Sequence, residues 1–371
     1  MLLTFTEEQV ELGRTVRSFL ESTSPEPTVR RLMETERGFD TAAWTQMGSQ
    51  LGLHQLAIPE EYGGAGYTFV ELGVVLEEMG RALLCAPFFS SVVLAANTLL
   101  LGSDDQAKKE LLPALASGEQ IGTLAFTEPN GRWDEGGITM QATRTAAGWT
   151  LTGDKAFVLD GHTADLVLVI ARTGSGLSVF AVDASVSGLH RMPMQTMDMT
   201  RKQARLTFTD VPARLVGAEG EGATVLTQVL DLAAVGLAVE AVGGAQRCLD
   251  MSVEYAKVRE QFGRPIGSFQ AIKHKCADLL LEVESARSAA YFAMWSAAGN
   301  SPDLPMAAAM AKAYCTEAYA HAAAENIQIH GGIGFTWEHP AHLYFRRAKS
   351  TELLLGDPSY HRELLVQRVG L

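Results

Sequence analysis

The chain is 371 residues long, 47% hydrophobic and 20% charged, so it is globular rather than disordered and too long for one simple core; two or three domains are expected. Its formal net charge of -13 argues against nucleic acid as the main partner and leaves room only for a locally basic groove holding a CoA or ADP group. The four cysteines, Cys85, Cys248, Cys276 and Cys315, stand far apart with no CxxC spacing, which suits reduced thiols in a cytoplasmic protein. The first residues, Thr4-Phe5-Thr6-Glu7-Glu8, are acidic and helix-starting rather than leader-like. Residues 92–101 form the longest apolar run, too short to span a bilayer, so no membrane span is expected.

In chain order, residues 5–21 read as a helix capped by Thr6, with Val10, Val16, Phe19 and Leu20 as its apolar stripe. A second helix is expected over 40–52, with Ala43, Trp44, Met47 and Leu51 on one side. The run from Pro59 to Gly66 is a glycine-rich loop, and further helices follow at about 68–83, 87–101 and 103–117. From Ile121 the pattern turns to short β runs at 123–126, 149–151, 166–171, 177–182 and 204–208, separated by Gly, Asp and Thr. Strands at this spacing predict a small antiparallel barrel or sandwich. Long helices return at about 222–258, 269–298 and 302–330, broken at Ser301-Pro302-Asp303, with shorter ones after them. Alanine dominates 306–324, which suits close helix packing in a bundle. The fold class is therefore α+β and multi-domain: helices over 1–118, a β-barrel over 119–221, and a helical bundle over 222–371.

Two strings carry the chemistry. Arg259-Glu260-Gln261-Phe262-Gly263-Arg264-Pro265-Ile266-Gly267-Ser268-Phe269-Gln270 turns from one long helix into another. It offers a guanidinium to an anionic oxygen and a helix start whose free N–H groups favour an anion. Gln328-Ile329-His330-Gly331-Gly332-Ile333-Gly334-Phe335 has two adjacent glycines that admit a ligand close to the backbone. The plain alternatives are a helix–turn–helix corner with a solvated arginine, and a helix C-cap followed by a turn. His330-Gly331-Gly332 also fits an HGGG-type oxyanion loop, but no G-x-S-x-G nucleophile elbow exists to go with it. No Rossmann or P-loop glycine pattern occurs either. The nine histidines include no HExxH, and His339-Pro340-Ala341-His342 reads as a helix start rather than a ligand pair, so no metal is expected.

In this order on a helical background, the two strings resemble the dinucleotide-gripping motifs of the flavin-dependent acyl-CoA dehydrogenase family, and the resemblance covers almost the whole chain. It implies an N-terminal helical domain, a middle β-barrel and a C-terminal four-helix bundle, with FAD as cofactor. It also implies that Arg259, Phe262, Gln270, Gln328, Gly331 and Gly332 hold the ADP half of a FAD, reaching across a dimer interface into the neighbouring subunit. Thr127 and Phe157 would serve the flavin half from the barrel.

Departures from the family pattern cluster on the flavin half. Where members carry T-E-P-G-x-G-S-D, this chain has Thr127-Glu128-Pro129-Asn130-Gly131-Arg132-Trp133-Asp134, with bulky Arg132 and Trp133 in place of small residues. Phe157-Val158-Leu159 stands for W-I-T, so the hydroxyl that bonds the flavin edge is missing at Leu159. Dehydrogenation needs a carboxylate to take the proton α to the thioester. In Leu353-Leu354-Leu355-Gly356-Asp357-Pro358-Ser359 that slot holds Leu355. The alternative family slot on the helix after the barrel holds Ala233, and the substrate arginine beside it is Ala234. Glu240 lies two turns beyond Ala233 on the same face, about 10 Å along. Most buried acids are network partners, so Glu240 is expected to be structural, with catalysis as the alternative; Asp160, Asp198 and Asp357 are weaker candidates.

This combination resembles the non-base subunits of actinobacterial heteromeric acyl-CoA dehydrogenases that act on steroid-CoA side chains. The implied function is FAD-dependent α,β-desaturation of an acyl-CoA by a subunit without its own glutamate. The implied partners are an acyl-CoA, a homologous subunit, and electron-transfer flavoprotein or a similar acceptor. A homo-oligomeric enzyme using Glu240, or a silent scaffold of the same fold, are the alternatives.

Overall fold

The computed structural model describes residues 4–371. Helices α1 (Glu7–Thr23), α2 (Glu26–Met33), α3 (Thr41–Ser49) and α4 (Phe69–Arg81) come first; a π-helical turn (Phe89–Ala95) then runs into α5 (Ala96–Leu101), followed by α6 (Asp105–Ser117). Seven strands follow: β1 (Gly122–Ala125), β2 (Gln141–Thr145), β3 (Gly148–Leu159), β4 (Leu166–Thr173), β5 (Gly176–Asp183), β6 (Leu189–Pro193) and β7 (Gln203–Val216). Then come α7 (Gly222–Val258), the short β8 (Glu260–Gln261) and β9 (Arg264–Pro265), α8 (Gln270–Ala298), α9 (Leu304–His330), α10 (Ala341–Leu353) and α11 (Pro358–Val369). The polypeptide gathers into two compact units. One takes the residues up to Arg30, Phe69–Leu84 and Ala234–Leu371; the other takes Arg31–Thr68 and Cys85–Ala233. The units follow packing rather than chain order, so each mixes stretches from more than one sequence block.

In the second unit the β-strands close on themselves. Strand β4 pairs with β5, β5 with β7, β7 with β3, β3 with β2, and β2 returns to β4 through Gln141 and Arg172. The expected barrel is present, but it is mixed rather than antiparallel, because β1 and β2 both run parallel to β4. Residues Leu166 to Ala171 are buried throughout, as a strand covered on both faces should be. The exposed strands β2 and β6 carry no apolar alternation and were not expected. The π-helical turn contributes fully buried Ser90 and Ser91, whose hydroxyls serve Asp160 and the Gly122 N–H.

In the first unit, α1 starts with a capping box: Thr6 Oγ1 accepts from Gln9 N–H while Gln9 Oε1 accepts from Thr6 N–H. Val16 and Leu20 face the core, whereas Val10 lies at the surface. Where α4 meets α7, glycine permits backbone-to-backbone contact: a Cβ on Gly243 would stand 1.8 Å from the Glu77 carbonyl oxygen, and one on Gly80 2.0 Å from that of Glu240. The alanine run buries itself along α9 against α8, α10 and α11. Helix α7 holds a longer apolar window than 92–101. Among the described residues it alone is long and apolar enough to cross a membrane, and most of that window is buried inside the structure.

His54 is fully buried in the second unit, its ring tilted against Trp44 at 3.9 Å, and neither ring nitrogen has a hydrogen-bond partner. Burial lowers its pKa to about 4. The folded state therefore keeps it neutral while the unfolded chain takes up a proton below about 6.5. Stability is unaffected above that value and falls by about 1.4 kcal/mol per pH unit on the way down to the folded pKa. Urea melts should show His54→Leu losing less stability than the parent between pH 6.5 and 4.5; parallel losses would assign the acid sensitivity elsewhere.

Candidate functional site

The ADP-side residues all belong to the first unit. Helix α7 ends at Val258; the next residue, Arg259, donates its N–H to the Tyr255 carbonyl at 2.9 Å, and its carbonyl accepts from Ile266 N–H at 2.7 Å. Between these bonds the expected turn is a β-hairpin, β8 against β9, with Phe262 (φ 53°) and Gly263 (φ 78°) at its tip. The Phe262 ring is 92% exposed. Arg264 lies over Phe269, 4.1 Å from the ring centre. Gln270 opens α8 at the surface, and the exposed Arg259 guanidinium bonds to no other group among the described residues.

At the end of α9, Gly331 (φ 63°) caps the helix by donating to the Gln328 and Ile327 carbonyls. Nothing stands within 4 Å of a Cβ built on Gly331 or Gly332, so that face of the backbone is open. Gln328 is exposed one turn earlier and borders a cavity of about 380 Å³ walled by Phe335, Trp337, His342 and Phe345. An unspent guanidinium and an open glycine turn are what an ADP group requires, so this half fits FAD.

The flavin-side candidates sit in the second unit, on β3 and the segment that follows β1. The Thr127 carbonyl accepts from Ala156 N–H at 2.9 Å. Beneath it, Lys155 is completely buried and donates to Glu128 Oε1 at 2.9 Å and to the Phe126 carbonyl at 3.1 Å. Glu128 also accepts from Thr139 N–H and Oγ1 and from Met140 N–H. Burial pulls the Lys155 pKa down to about 8 against the opposing attraction of Glu128. Burial would raise the Glu128 pKa, but its hydrogen bonds and the lysine charge outweigh that and lower it. Lys155 stands at the start of an irregularity in the β3–β7 register, between Lys155 and Val158, where Phe157 takes φ 58°. Leu159 is buried, and its carbonyl accepts from Thr123 Oγ1 at 2.6 Å. Trp133 leans on Phe126 at 6.2 Å, and Arg132 is tied to Asp134.

No unspent carboxylate stands in either base slot. Leu355 is buried in a left-handed conformation (φ 62°) followed by Gly356 (φ 102°). Fully buried Lys312 donates to the Glu352 carbonyl at 3.2 Å and the Gly356 carbonyl at 2.9 Å, and His361 Nε2 donates to the Leu355 carbonyl at 3.0 Å. Asp357 caps α11 by accepting from Tyr360 N–H. Ala233 is buried in the second unit, where Asp160 accepts from Ser90 and Asp198 from Thr200. Glu240 is bound to Arg347 at 2.6 Å with both side chains buried. The sequence reading missed Lys155 and Lys312. A lone lysine in an alanine-rich or strand-forming run was their only signal.

Comparison with known proteins places these features in one family. Profiles of the acyl-CoA dehydrogenase N-terminal, middle and C-terminal domains match residues 6–119, 123–211 and 220–370. Acyl-CoA dehydrogenase IpdE2 of Mycobacterium tuberculosis is 37% identical over 97% of this chain and 95% of its own. Butyryl-CoA dehydrogenase from Megasphaera elsdenii superposes with a TM-score of 0.93 at 27% identity, covering 100% of both chains. A chain of the ChsE4–ChsE5 complex from Mycobacterium tuberculosis gives 0.90 at 31% identity, covering 100% of this chain and 99% of that one. The chain belongs to the acyl-CoA dehydrogenase family, FAD-dependent oxidoreductases acting on CH–CH groups, and has that family's fold.

Removing one member of a buried ion pair strands the other in a low-dielectric interior. Lys155→Met should therefore cost about 3 kcal/mol of unfolding free energy in denaturant titrations. A loss below about 1 kcal/mol would show that the bonds from Thr139 and Met140 satisfy Glu128 by themselves.

Proposed function

We propose that this chain is a subunit of a hetero-oligomeric acyl-CoA dehydrogenase, lacking its own proton-abstracting carboxylate and lending its ADP grip to the FAD of a homologous partner. One contrast carries the reading. Arg259 and the Gly331-Gly332 turn are open and unspent, whereas the base slots hold Leu355 and Ala233 and the nearest sequence alternative, Glu240, is bound to Arg347. Arg259, Phe262, Gln270, Gln328, Gly331 and Gly332 would take the ADP half, with the guanidinium on a pyrophosphate oxygen. Thr127 and Phe157 would line the flavin half. When bound, FAD supplies the hydride acceptor for the β-hydrogen of the acyl-CoA. The chain's own residues bind and orient but abstract no proton, a task left to the partner's carboxylate.

Likeness to a chain of the two-component ChsE4–ChsE5 complex supports a heteromer. The small side chains Ala233 and Ala234 are compatible with a bulky acyl group. The three domains divide at 1–118, 119–221 and 222–371 in this reading. Electron-transfer flavoprotein or a similar acceptor would reoxidise the assembly, and four free cysteines suit the cytoplasm.

Purified alone, the chain should show no acyl-CoA-dependent flavin bleaching, and co-expression with a neighbouring homologous gene should restore it. Full FAD occupancy with robust turnover by the chain alone would overturn the proposal. In the same preparations Glu240→Gln should lower unfolding stability by about 3 kcal/mol while leaving the complex's turnover unchanged once folded. Abolished turnover with intact stability and bound FAD would instead make Glu240 the base.

A further inference from the structure

The last residues of α7 and α9 are joined by contacts that no ligand role accounts for. Ser252 Oγ donates to Asn326 Oδ1 at 3.1 Å, and both residues are fully buried. One turn further along, the rings of Tyr255 and His330 stack with centroids 4.3 Å apart and planes at 29°. His330 Nδ1 carries the proton in its 2.7 Å bond to the Asn326 carbonyl, because a carbonyl can only accept. His339 adds a third ring, 4.3 Å from His330. The central pair touches both strings: the Tyr255 carbonyl receives the Arg259 N–H, and His330 lies within the second, immediately before Gly331-Gly332.

Both strings have few side-chain anchors beside their open parts. Gly331 and Gly332 have no side chains, and Gly331 sits at positive φ, so the side chain that packs immediately before that turn is His330. The hairpin beyond Arg259 has strands of two residues and an exposed tip, too little to be stable by itself. It is attached through the backbone of Arg259, which hangs on Tyr255.

We propose that Tyr255 and His330 are positioning residues for FAD, a ring clasp that sets the Arg259 guanidinium and the Gly331-Gly332 turn in register so that both reach the same ADP group. The proposal rests on the preceding reading that these two elements hold ADP. Tyr255 and His330 would not touch the cofactor. They restrict two otherwise loose segments, and affinity is gained because that ordering is done before binding.

The test is FAD affinity, measured by titrating FAD into the flavin-stripped oligomer in which the full chain is isolated, alongside the thermal midpoint of each variant. Tyr255→Leu and His330→Ala should each weaken FAD by roughly 3- to 10-fold, the scale of one aromatic contact. Combining them should add little, since both remove the same stack. Tyr255→Phe keeps the ring and should restore parental affinity. Arg259→Ala tests the underlying reading separately: unchanged affinity there would overturn both. If Arg259→Ala weakens FAD while Tyr255→Leu and His330→Ala lower only the thermal midpoint, the pair is mere packing and the clasp is overturned.

Discussion

The first unit is organised around one buried ion pair. Glu240 of α7 and Arg347 of α10 meet at 2.6 Å, and Arg347 also reaches the Leu84 carbonyl beyond the end of α4, so two helices and the segment after a third share one charge network. Such a pair is not a large source of stability, because desolvating both groups offsets much of their attraction. It is exacting: either partner left alone in that interior is costly, and the geometry in which both are satisfied admits few packings. Gly80, against the Glu240 carbonyl, makes the approach of α4 possible. The same pairing has a chemical consequence. A carboxylate committed to a guanidinium is poorly suited to taking a proton from carbon, which supports reading Glu240 as a framework residue rather than as the base.

The turn at Leu355 shows the same separation of framework from chemistry. A bulky residue at positive φ is strained by roughly 1–3 kcal/mol unless its surroundings hold it. Here Lys312 and His361 do so through backbone carbonyls. Leucine gains nothing from that conformation. Retention of the turn without an ionisable side chain fits a family scaffold kept for shape, packing and cofactor geometry, with the proton step placed elsewhere. The barrel follows suit: the buried Glu128–Lys155 pair sits beside the bulge that carries Phe157, while Leu159 has no hydroxyl to offer.

Much of this was legible in the sequence because periodicity is local. The long helix 222–258, the cap at Thr6, the break before α9 and the strand run Leu166 to Ala171 each announce themselves within a few residues. Helix α2 falls in a stretch to which the sequence reading assigns no element; Pro27 and its charged neighbours give no clear apolar stripe, although Pro in a first turn is compatible with a helix. Strands β2 and β6 are too exposed to alternate. Closure of the barrel, the parallel pairings and the partners of Lys155, Lys312 and Glu240 depend on residues tens to more than a hundred positions apart, for which a single sequence holds no signal. The motifs told which residues could meet FAD. Only the structure told which of them are unspent.

The central claim is that this chain orients an acyl-CoA site without supplying the base. Solvent exchange at the substrate's α-carbon tests it most directly, since exchange needs a base and no electron acceptor. The chain alone, incubated with a saturated acyl-CoA in D₂O, should leave the α-position free of deuterium by mass spectrometry. Deuterium incorporation above the enzyme-free rate would contradict the account.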